Sequence, residues 1–545
     1  MNKPTSEQTQ VIDYKGNTVV IAGPGSGKTY TVVKKIVSIL NDIEDYQGVI
    51  AISYTRKASK ELKNRVGKYN IVHENSYFST IDSFILSNVI YKFSSRLTTR
   101  IIDYEIVNID KLIKNNINNE WLYNLTINNL DENSDNIISL LEDGYIPVEL
   151  IAEIGIFIMS KVNQCKVYFQ AKYTHIIIDE YQDCDEAKHY FFNLLVDWNL
   201  IGIAVGDPNQ SIYAYSGKHS IYLMELYSSK SFESFELTIN HRSHKSIINF
   251  SDIIMNRPIS FPLEENKRIF VSKTEGDEID LSSMIYAEIE LIKRRFKIKE
   301  KDIAFLCRGW RTAEKLHKSW KGKSKLLTRT KFSSLNSANA IIIDDLLKIY
   351  VNHRYKEIAI IDVLEKFHIE NNYKNNQLIN DFLNNSNLKL TKIIEYFNKM
   401  CMIISNKDLQ DKEVKLLAEI LVNDDELLKY VNTADDEINI ITIHSSKGME
   451  YDCVFIFDMY KWIISDERFR DNTDTEHEEH LEQNWNLFYV AVSRAKKLVY
   501  IMQGNKRYNR YGEVKFAQPS GFLQMPKINN QLITFKDSLG AEHLT

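Results

Sequence analysis

A glycine-rich run near the amino terminus has the residue types that can wrap the phosphates of a nucleotide. It spans residues 23–29, GPGSGKT, and follows the apolar, strand-like residues 18–21. After it, residues 30–40 have the apolar spacing of a helix, so the run is predicted to lie where a helix begins. Backbone N–H groups bind phosphates at such a position, while Lys28 is expected to neutralise phosphate charge and Thr29 to ligate Mg²⁺. The run therefore predicts an NTPase.

Two further runs end in polar side chains that suit phosphate chemistry. The apolar residues 175–178 are followed by Asp179 and Glu180, which is typical of a Walker B element. Asp179 is expected to hold Mg²⁺ and Glu180 to orient the attacking water as a general base, although two acids alone could be a solvated strand end. The strand-like residues 201–205 lead into a turn that is expected to place Gln210 beside the phosphates. Together with the glycine-rich run, these features favour the catalytic interpretation.

Length and composition limit the class of protein. The chain of 545 residues exceeds the roughly 250–300 at which single hydrophobic cores stop growing, so several domains are expected. Hydrophobic residues make up 44% and charged residues 26%, and no apolar run approaches the ~20 residues that span a bilayer. The first residues lack the apolar stretch of a secretory signal, and the five cysteines lack the paired spacing of a disulfide framework or a metal site. We therefore expect a cytoplasmic protein without membrane contacts.

A basic segment at residues 56–68 follows the strand-like residues 49–54. Tyr54 and Thr55 open it, and Lys57 is one of its six basic residues. An aromatic ring, a hydroxyl and basic residues at a strand end suit base stacking and backbone contact with a nucleic acid strand. Because the net charge of the chain is −5, local segments of this kind would have to supply the attraction to phosphate. A solvated helix face is the alternative, and the segment alone does not decide between the two.

The order of these motifs resembles that of the UvrD/Rep family of superfamily 1 DNA helicases. Gln8 looks like the glutamine with which the family reads adenine. The further matches in the first half are residues 51–66 with motif Ia, residues 80–84 (TIDSF) with motif Ib, residues 179–183 (DEYQD) with DEFQD, and residues 205–215 (VGDPNQSIYAY) with VGDDDQSIYxW.

The second half continues the resemblance in the same order. Residues 237–243 (LTINHRS) look like the family's LxxNYRS, which implies that Arg242 lies near the γ-phosphate and that His241 stands where a tyrosine usually stacks on adenine. Residues 487–496 look like motif VI and imply that Arg494 is an arginine finger, which stabilises charge in the transition state. The other matches are residues 302–308 with motif IV and residues 441–451 with motif V.

The resemblance implies an ATPase that uses ATP and Mg²⁺ to move from 3′ to 5′ along single-stranded DNA, with duplex unwinding as a further expected activity. The catalytic residues it implies are Lys28, Asp179, Glu180, Gln210, Arg242 and Arg494. The nucleotide contacts it implies are Gln8, Gly23, Gly25, Ser26, Gly27, Lys28, Thr29, His241, Arg242, Glu450 and Arg494, and the ligands of Mg²⁺ are Thr29 and Asp179. The contacts it implies to single-stranded or tailed duplex DNA are Tyr54, Thr55, Lys57, Thr80, Tyr215, Thr442 and His444.

The fold that the resemblance implies is α/β, with two RecA-like domains built on parallel sheets, each with a short helical insertion. The predicted bounds are residues 1–92 and 173–262 for the first domain, 93–172 for its insertion, 263–330 and 430–545 for the second domain, and 331–429 for its insertion.

Two polar stretches are predicted to lie outside regular structure. The Asn-rich residues 371–387 are expected to form loop and helix caps. The acidic residues 466–482 are expected to form a solvated loop that leads into the motif VI helix.

The small insertions also resemble the helicase-like subunit of Gabija-type antiphage defence systems, in which a UvrD-like protein accompanies a separate nuclease. That resemblance implies a protein partner of the nuclease class. A housekeeping repair helicase stays open as an alternative, as does an NTP-hydrolysing sensor of DNA ends that gates a partner nuclease without processive unwinding. Three departures from the family pattern, Asp82 for histidine, Tyr215 for tryptophan and His241 for tyrosine, leave the DNA affinity and the preference for ATP open.

Overall fold

The structure is a computed structural model that describes most of the chain, divided by contacts into two compact units. Unit 1 comprises Met1–Asn266 and Asp466–Ser493, and unit 2 comprises Lys267–Ser465 and Arg494–Thr545. The described residues are 3–53, 56–69, 75–99, 104–114, 120–212, 220–262, 267–328, 330–332, 335, 339–367, 369–384, 388–461, 463–464, 474–509 and 511–534.

A parallel sheet forms the centre of unit 1. The strands of this unit are β1 (Thr18–Ala22), β2 (Gly48–Ile52), β3 (Tyr77–Ser79), β4 (Glu105–Val107), β5 (Tyr145–Pro147), β6 (Tyr173–Asp179), β7 (Ile201–Gly206) and β8 (Glu233–Leu237). The sheet has the order β3-β2-β6-β7-β1-β8, and β4 pairs separately with β5. All of its neighbouring strands are parallel. Its central strands are apolar runs such as TVVIA in β1, because helices cover both faces of a parallel sheet.

Helices enclose this sheet in two separate cores. Because side chains alternate along a strand, Val19 of β1 enters the core shared with the first insertion, while Val20 enters the core on the opposite face. The helices that precede unit 2 in the chain are α1 (Ser6–Asp13), α2 (Lys28–Asp42), α3 (Arg56–Gly67), α4 (Ile81–Ile85), α5 (Tyr91–Phe93), α6 (Ile109–Lys114), α7 (Ser134–Glu142), α8 (Ile151–Lys161), α9 (Asn163–Lys172), α10 (Glu186–Asp197), α11 (Ile221–Ser228) and α12 (Lys245–Ile254).

Unit 2 has a second parallel sheet, so the predicted α/β class with two parallel sheets is confirmed. The strands of this unit are β9 (Ile269–Thr274), β10 (Ile303–Cys307), β11 (Ser324–Leu326), β12 (Ile438–Thr442), β13 (Tyr451–Ile456), β14 (Ala495–Gly504), β15 (Lys506–Tyr508), β16 (Val514–Phe516) and β17 (Ile533–Thr534). The sheet has the order β11-β12-β10-β13-β14-β9-β17, and all of its neighbouring strands are parallel. The strands β15 and β16 form a separate antiparallel pair.

The second insertion has a hydrophobic core of its own, formed by residues such as Leu346, Phe382 and Phe397. The helices from the start of unit 2 are α13 (Glu278–Phe296), α14 (Trp310–Ser319), α15 (Ala340–His353), α16 (Ile360–Phe367), α17 (Tyr373–Asn384), α18 (Leu390–Ser405), α19 (Asp411–Leu421), α20 (Asp424–Leu428), α21 (Asp474–Ser493) and α22 (Pro526–Asn529). In the part of the chain that the structure describes, no helix is both long enough and apolar enough to cross a bilayer.

Two predictions of irregular structure are wrong. The Asn-rich stretch contains α17, since Ile379, Phe382 and Leu383 recur at helical spacing and are buried in the insertion core. The acidic stretch contains the start of α21, which begins at Asp474 rather than after residue 482. Residues 385–387 and 465–473 lie outside the described residues.

Helix α21 is part of unit 1, whereas the sequence predicts that motif VI belongs to the second domain. Phe488 on this helix packs edge-on against Phe250 of α12, with ring centroids 6.0 Å apart. The predicted domain bounds stay predictions, and the contact-based units differ from them at this helix.

The topology of unit 1 brings its predicted site residues to one edge of the sheet. The glycine-rich run follows β1, Asp179 ends β6, Gln210 follows β7, and residues 238–243 follow β8. In a parallel sheet the carboxyl ends of all strands lie at the same edge, which is where open α/β sheets bind ligands. The candidate site therefore lies at the carboxyl edge of this sheet.

Candidate nucleotide-binding site

The glycine-rich run forms a turn between β1 and α2. Gly25 and Gly27 have φ angles of 73° and 81°, in the left-handed region that favours glycine. A Cβ atom on Gly25 would lie 2.4 Å from Asn240 Oδ1, and one on Gly27 would lie 2.5 Å from Gln8 Nε2. Glycine at both positions thus permits the turn and the close approach of its neighbours. The turn leads into the first residues of α2, whose N–H groups have no partner within the helix and suit a phosphate.

Gln8 holds this turn from the side of α1. Its Nε2 donates to the Ser26 carbonyl at 3.0 Å, and its Oε1 accepts from the Thr5 backbone N–H at 3.0 Å. The Ser26 hydroxyl in turn donates to the Gly23 carbonyl at 2.8 Å. The buried amide of Gln8 is therefore fixed beside the turn, where the sequence predicts a nucleotide contact.

The Lys28 ammonium faces both of the predicted acids. It donates to Glu180 Oε1 and lies 3.9 Å from Asp179 Oδ1. Burial works against the charge, but the carboxylates of Glu180 and Asp179 outweigh it, so the pKa of Lys28 lies above its ordinary value. Only 13% of the Lys28 side chain and 23% of the Glu180 side chain are exposed, so little water weakens the attraction. Lys28 is thus a charged group held between two carboxylates.

Gln182 connects Glu180 to the loop after β7. Its Nε2 donates to Glu180 Oε2 at 2.5 Å, and its Oε1 accepts from the Asp207 backbone N–H at 3.0 Å. Glu180 has a φ angle of 61°, which is uncommon for a residue with a side chain. The buried amide of Gln182 thereby connects the loops that follow β6 and β7.

Gln210 is held by a buried carboxylate. It ends a short helical turn, Pro208–Gln210, and its Nε2 donates to Asp207 Oδ2 at 2.8 Å. Asp207 Oδ1 accepts from the Asn209 backbone N–H at 3.1 Å. The amide group of Gln210 is therefore fixed in the loop that Gln182 joins to Glu180.

The loop after β8 meets the glycine-rich turn. The His241 backbone N–H donates to the Gly25 carbonyl at 2.9 Å, while the imidazole is exposed. Asn240 Oδ1 accepts from the Arg242 and Ser243 backbone N–H groups at 2.8 and 3.1 Å. The loop thus brings His241 and Arg242 beside the turn that holds Gln8.

Four predicted residues lie in unit 2. Thr442 ends β12 and is buried, and His444 lies in the turn that follows. Glu450 precedes β13, with its Oε2 3.2 Å from Lys496 Nζ. Arg494 is 2% exposed and its guanidinium donates to a carbonyl of the loop before β13 at 3.4 Å. Their roles toward nucleotide or DNA stay predictions.

Few of the predicted DNA contacts can be described. Thr80 caps α4: its hydroxyl accepts from the Ser83 backbone N–H at 3.4 Å and donates to Ser83 Oγ at 2.9 Å. Tyr54, Thr55 and Tyr215 lie outside the described residues, as does the side chain of Lys57.

Sequence reasoning missed the side chains that hold the site residues in place. Gln182, Asp207 and Asn240 lie inside the runs that match family motifs, and that membership was the available signal for them. Glu7 accepts from the Thr238 backbone N–H at 2.9 Å and from its hydroxyl at 2.5 Å, joining α1 to the loop after β8. No local pattern marks this contact, because the two residues are far apart in the chain.

The donors predicted for Mg²⁺ suit that ion. Asp179 ends β6 with its carboxylate beside Lys28, and Thr29 is the second residue of α2. Carboxylate and hydroxyl oxygens are hard ligands, and Mg²⁺ is usually held by one or two protein oxygens together with substrate phosphates. The chemistry of this donor set therefore fits Mg²⁺.

Comparison with known proteins gives two family models and several full-length relatives. A model described as an AAA domain matches residues 8–216, and one described as a UvrD-like helicase C-terminal domain matches residues 348–506. The Gabija protein GajB of Bacillus cereus is 26% identical over 529 residues, which cover 92% of this chain and 96% of that protein.

Two relatives carry helicase names. The ATP-dependent DNA helicase Rep of Buchnera aphidicola is 23% identical over 646 residues, covering 95% of this chain and 97% of that protein. The ATP-dependent DNA helicase PcrA of Staphylococcus aureus is 23% identical over 646 residues, covering 96% of this chain and 86% of that protein. The first family model contains the glycine-rich turn and β6, and the second contains motifs V and VI. With the two parallel sheets, these matches support a UvrD/Rep-type superfamily 1 DNA helicase.

Proposed function

We propose that unit 1 binds and hydrolyses ATP and that hydrolysis drives the chain along single-stranded DNA from 3′ to 5′. The observation that carries the proposal is the connection of Lys28, Glu180 and Gln210, through Gln182 and Asp207, at one edge of one sheet. Triphosphate hydrolysis needs a cation for the phosphates and groups that orient water at the γ-phosphorus. The likeness to helicases named ATP-dependent supports ATP as the triphosphate.

Nucleotide binding is proposed to begin with an exchange of partners at Lys28. The ammonium is paired with Glu180, and an incoming triphosphate offers it oxygens of higher negative charge. Glu180 is then released to accept a proton from the attacking water, as the new bond to the γ-phosphorus forms and the bond to the bridging oxygen breaks. The pair therefore keeps the general base occupied until substrate arrives.

The remaining residues of the proposed site are proposed to bind Mg²⁺, to orient the attacking water and the base, or to stabilise charge in the transition state. Thr29 and Asp179 would hold Mg²⁺, which neutralises phosphate charge when bound. Gln210 is proposed to orient the attacking water, and Arg242 and Arg494 to supply positive charge to the transition state. His241 is proposed to stack on the base, and competition between ATP and GTP measures the base preference.

Hydrolysis measured with and without single-stranded DNA tests the proposal. Lys28→Ala is expected to abolish turnover. Lys34→Ala is the matched control, since Lys34 lies on the same helix with its ammonium 4.6 Å from the ring centroid of Tyr69, and it is expected to keep wild-type turnover. Retained hydrolysis in Lys28→Ala would contradict the proposal. Hydrolysis without separation of a tailed duplex would support a DNA-end sensor instead of a motor.

We further propose that the chain works with a nuclease partner in antiphage defence. The support is the likeness to the Gabija protein GajB over nearly the whole of both chains. Cells that carry the chain with its neighbouring genes should resist phage, and Lys28→Ala should remove the resistance. A pull-down should recover a nuclease. Equal plating of phage with and without these genes would instead support a housekeeping repair helicase.

A further inference from the structure

Helix α21 is joined to the loop of Gln210 by one buried carboxylate. The Tyr489 hydroxyl donates to Asp207 Oδ2 at 3.2 Å, and Gln210 Nε2 donates to the same oxygen at 2.8 Å. One turn earlier, Asn486 Nδ2 donates to the Ser211 carbonyl at 3.0 Å. All of these residues belong to unit 1, and Tyr489 and Asp207 are each 1% exposed. The position of α21 is therefore tied to that of Gln210.

The end of the same helix contacts a second residue of the proposed site. The Ser493 carbonyl accepts from Arg242 Nη2 at 2.7 Å. Tyr489 and Ser493 are about one helical turn, or ~6 Å, apart along α21. Because a helix is stiff over one turn, the two contacts move together. Helix α21 thus links Gln210 to Arg242, two residues from loops after different strands.

The hydroxyl of Tyr489 contributes separately from its ring. The Arg257 guanidinium lies 5.8 Å from the ring centroid, and the ring is enclosed by protein. Burial raises the pKa of Tyr489 well above its ordinary value, so the hydroxyl keeps its proton and donates it. A hydrogen bond to a carboxylate is stronger than one between neutral groups. Phenylalanine at this position would keep the ring and remove the hydroxyl, with its hydrogen bond to Asp207 and its interaction with Arg257.

We propose that Tyr489 is a positioning residue whose hydrogen bond to Asp207 keeps α21 in register with Gln210, so that Gln210 and Arg242 take their places about the γ-phosphate together. This inference rests on the proposed function, because it requires both residues to act on a triphosphate. A structural role alone would need the ring of Tyr489 and not its hydroxyl.

Steady-state ATP hydrolysis by Tyr489→Phe tests the inference. The expected result is a kcat lower by about tenfold with a KM for ATP within about twofold of wild type, since the interactions of the hydroxyl with charged groups are lost and nucleotide contacts remain. Tyr350→Phe is the matched control, because Tyr350 is 2% exposed and its hydroxyl has no hydrogen-bond partner among the described residues. Its kcat should equal that of wild type. Thermal unfolding of both variants checks that the fold is kept.

A second variant and a double mutant sharpen the test. Asn486→Ala removes a different hydrogen bond of α21, the one to the Ser211 carbonyl, and should lower kcat in the same way. Tyr489→Phe should cause a smaller further loss when added to Gln210→Ala than it causes alone, since one of the two residues through which it acts is already removed. Additive losses, or a wild-type kcat in both Tyr489→Phe and Asn486→Ala while Lys28→Ala is inactive, would overturn the inference alone. An active Lys28→Ala would overturn the proposed function itself.

Discussion

Lys28 and Glu180 face each other at the carboxyl edge of the unit 1 sheet, and each is proposed to act on a triphosphate. While they are paired, neither is available for that task. Two charges in a poorly hydrated site stabilise each other, but they also make the loss of one partner costly for the other. The pair thus links the binding of nucleotide to the release of the general base.

Glu180→Gln separates these two roles. We expect hydrolysis to fall by about 10²–10⁴-fold, the range that a general base contributes. ATP affinity should be kept or increased, because no carboxylate at position 180 competes with phosphate for Lys28. Titration with a fluorescent ATP analogue measures the affinity, and single-turnover hydrolysis measures the chemical step. Hydrolysis at the wild-type rate would remove Glu180 from the mechanism.

The residues that are proposed to carry the chemistry could be named from the sequence, and those that hold them in place could not. Lys28 lies in a glycine-rich run after a strand-like segment, and Glu180 is the second of two acids after an apolar run. The hydrogen bond between Asp207 and Tyr489 joins residues 282 positions apart, and the fold alone brings them together. Local pattern therefore indicated the side chains that are proposed to react, while long-range packing determines how they are oriented.

At the scale of elements, α1 and the loop after β8 are joined by the two hydrogen bonds from Thr238 to the carboxylate of Glu7. Glu7→Gln should raise the KM for ATP by about three- to tenfold, because weaker bonds to Thr238 loosen the loop that carries His241. The kcat should stay within about twofold of wild type. Glu44→Gln, at an exposed position, is the control. A lower kcat at unchanged KM would contradict this account.

A buried carboxyl group on α8 predicts that the stability of the fold depends on pH. Burial of Glu153 on α8, with a smaller contribution from Asp185, raises the pKa of the Glu153 carboxyl from 4.5 to about 7. The folded state therefore binds this proton more tightly than the unfolded state, and stability is lost as the pH rises from 4.5 to about 7.

Glu153→Gln should remove that loss. At about pH 8 we expect its thermal midpoint to exceed that of wild type by about 2 °C or more, and at about pH 4 the two midpoints should converge. Glu132→Gln, at an exposed position of the same insertion, should show no such difference. Differential scanning calorimetry across this range makes the measurement. A difference between the two thermal midpoints that stays constant with pH would show that the Glu153 carboxyl does not titrate in this range.

Helices were predicted well where apolar spacing was regular and wrongly where polar residues dominate. In α17 the asparagines disfavour a helix, but burial of Ile379 and Phe382 in the insertion core outweighs propensity. In α21 the buried residues around Tyr489 pack within unit 1 and stabilise the helix. Tertiary packing, which a local pattern does not encode, decided both cases.

At the scale of the whole molecule, the two parallel sheets could be predicted because the ordered motifs resemble those of the UvrD/Rep family, which implies two RecA-like domains. That α21 belongs to unit 1 could not be predicted. The helix precedes Arg494 directly, yet its buried contacts with Asp207 and Ser211 make it part of unit 1. Sequence order alone does not show with which sheet a helix packs.

Displacement of streptavidin from the ends of biotinylated single-stranded DNA tests most directly whether hydrolysis in unit 1 drives movement. A 3′ to 5′ motor pushes streptavidin from the 5′ end. We predict ATP-dependent displacement that is faster from the 5′ end than from the 3′ end and is lost in Lys28→Ala. Hydrolysis of ATP stimulated by DNA, without displacement from either end, would contradict the account.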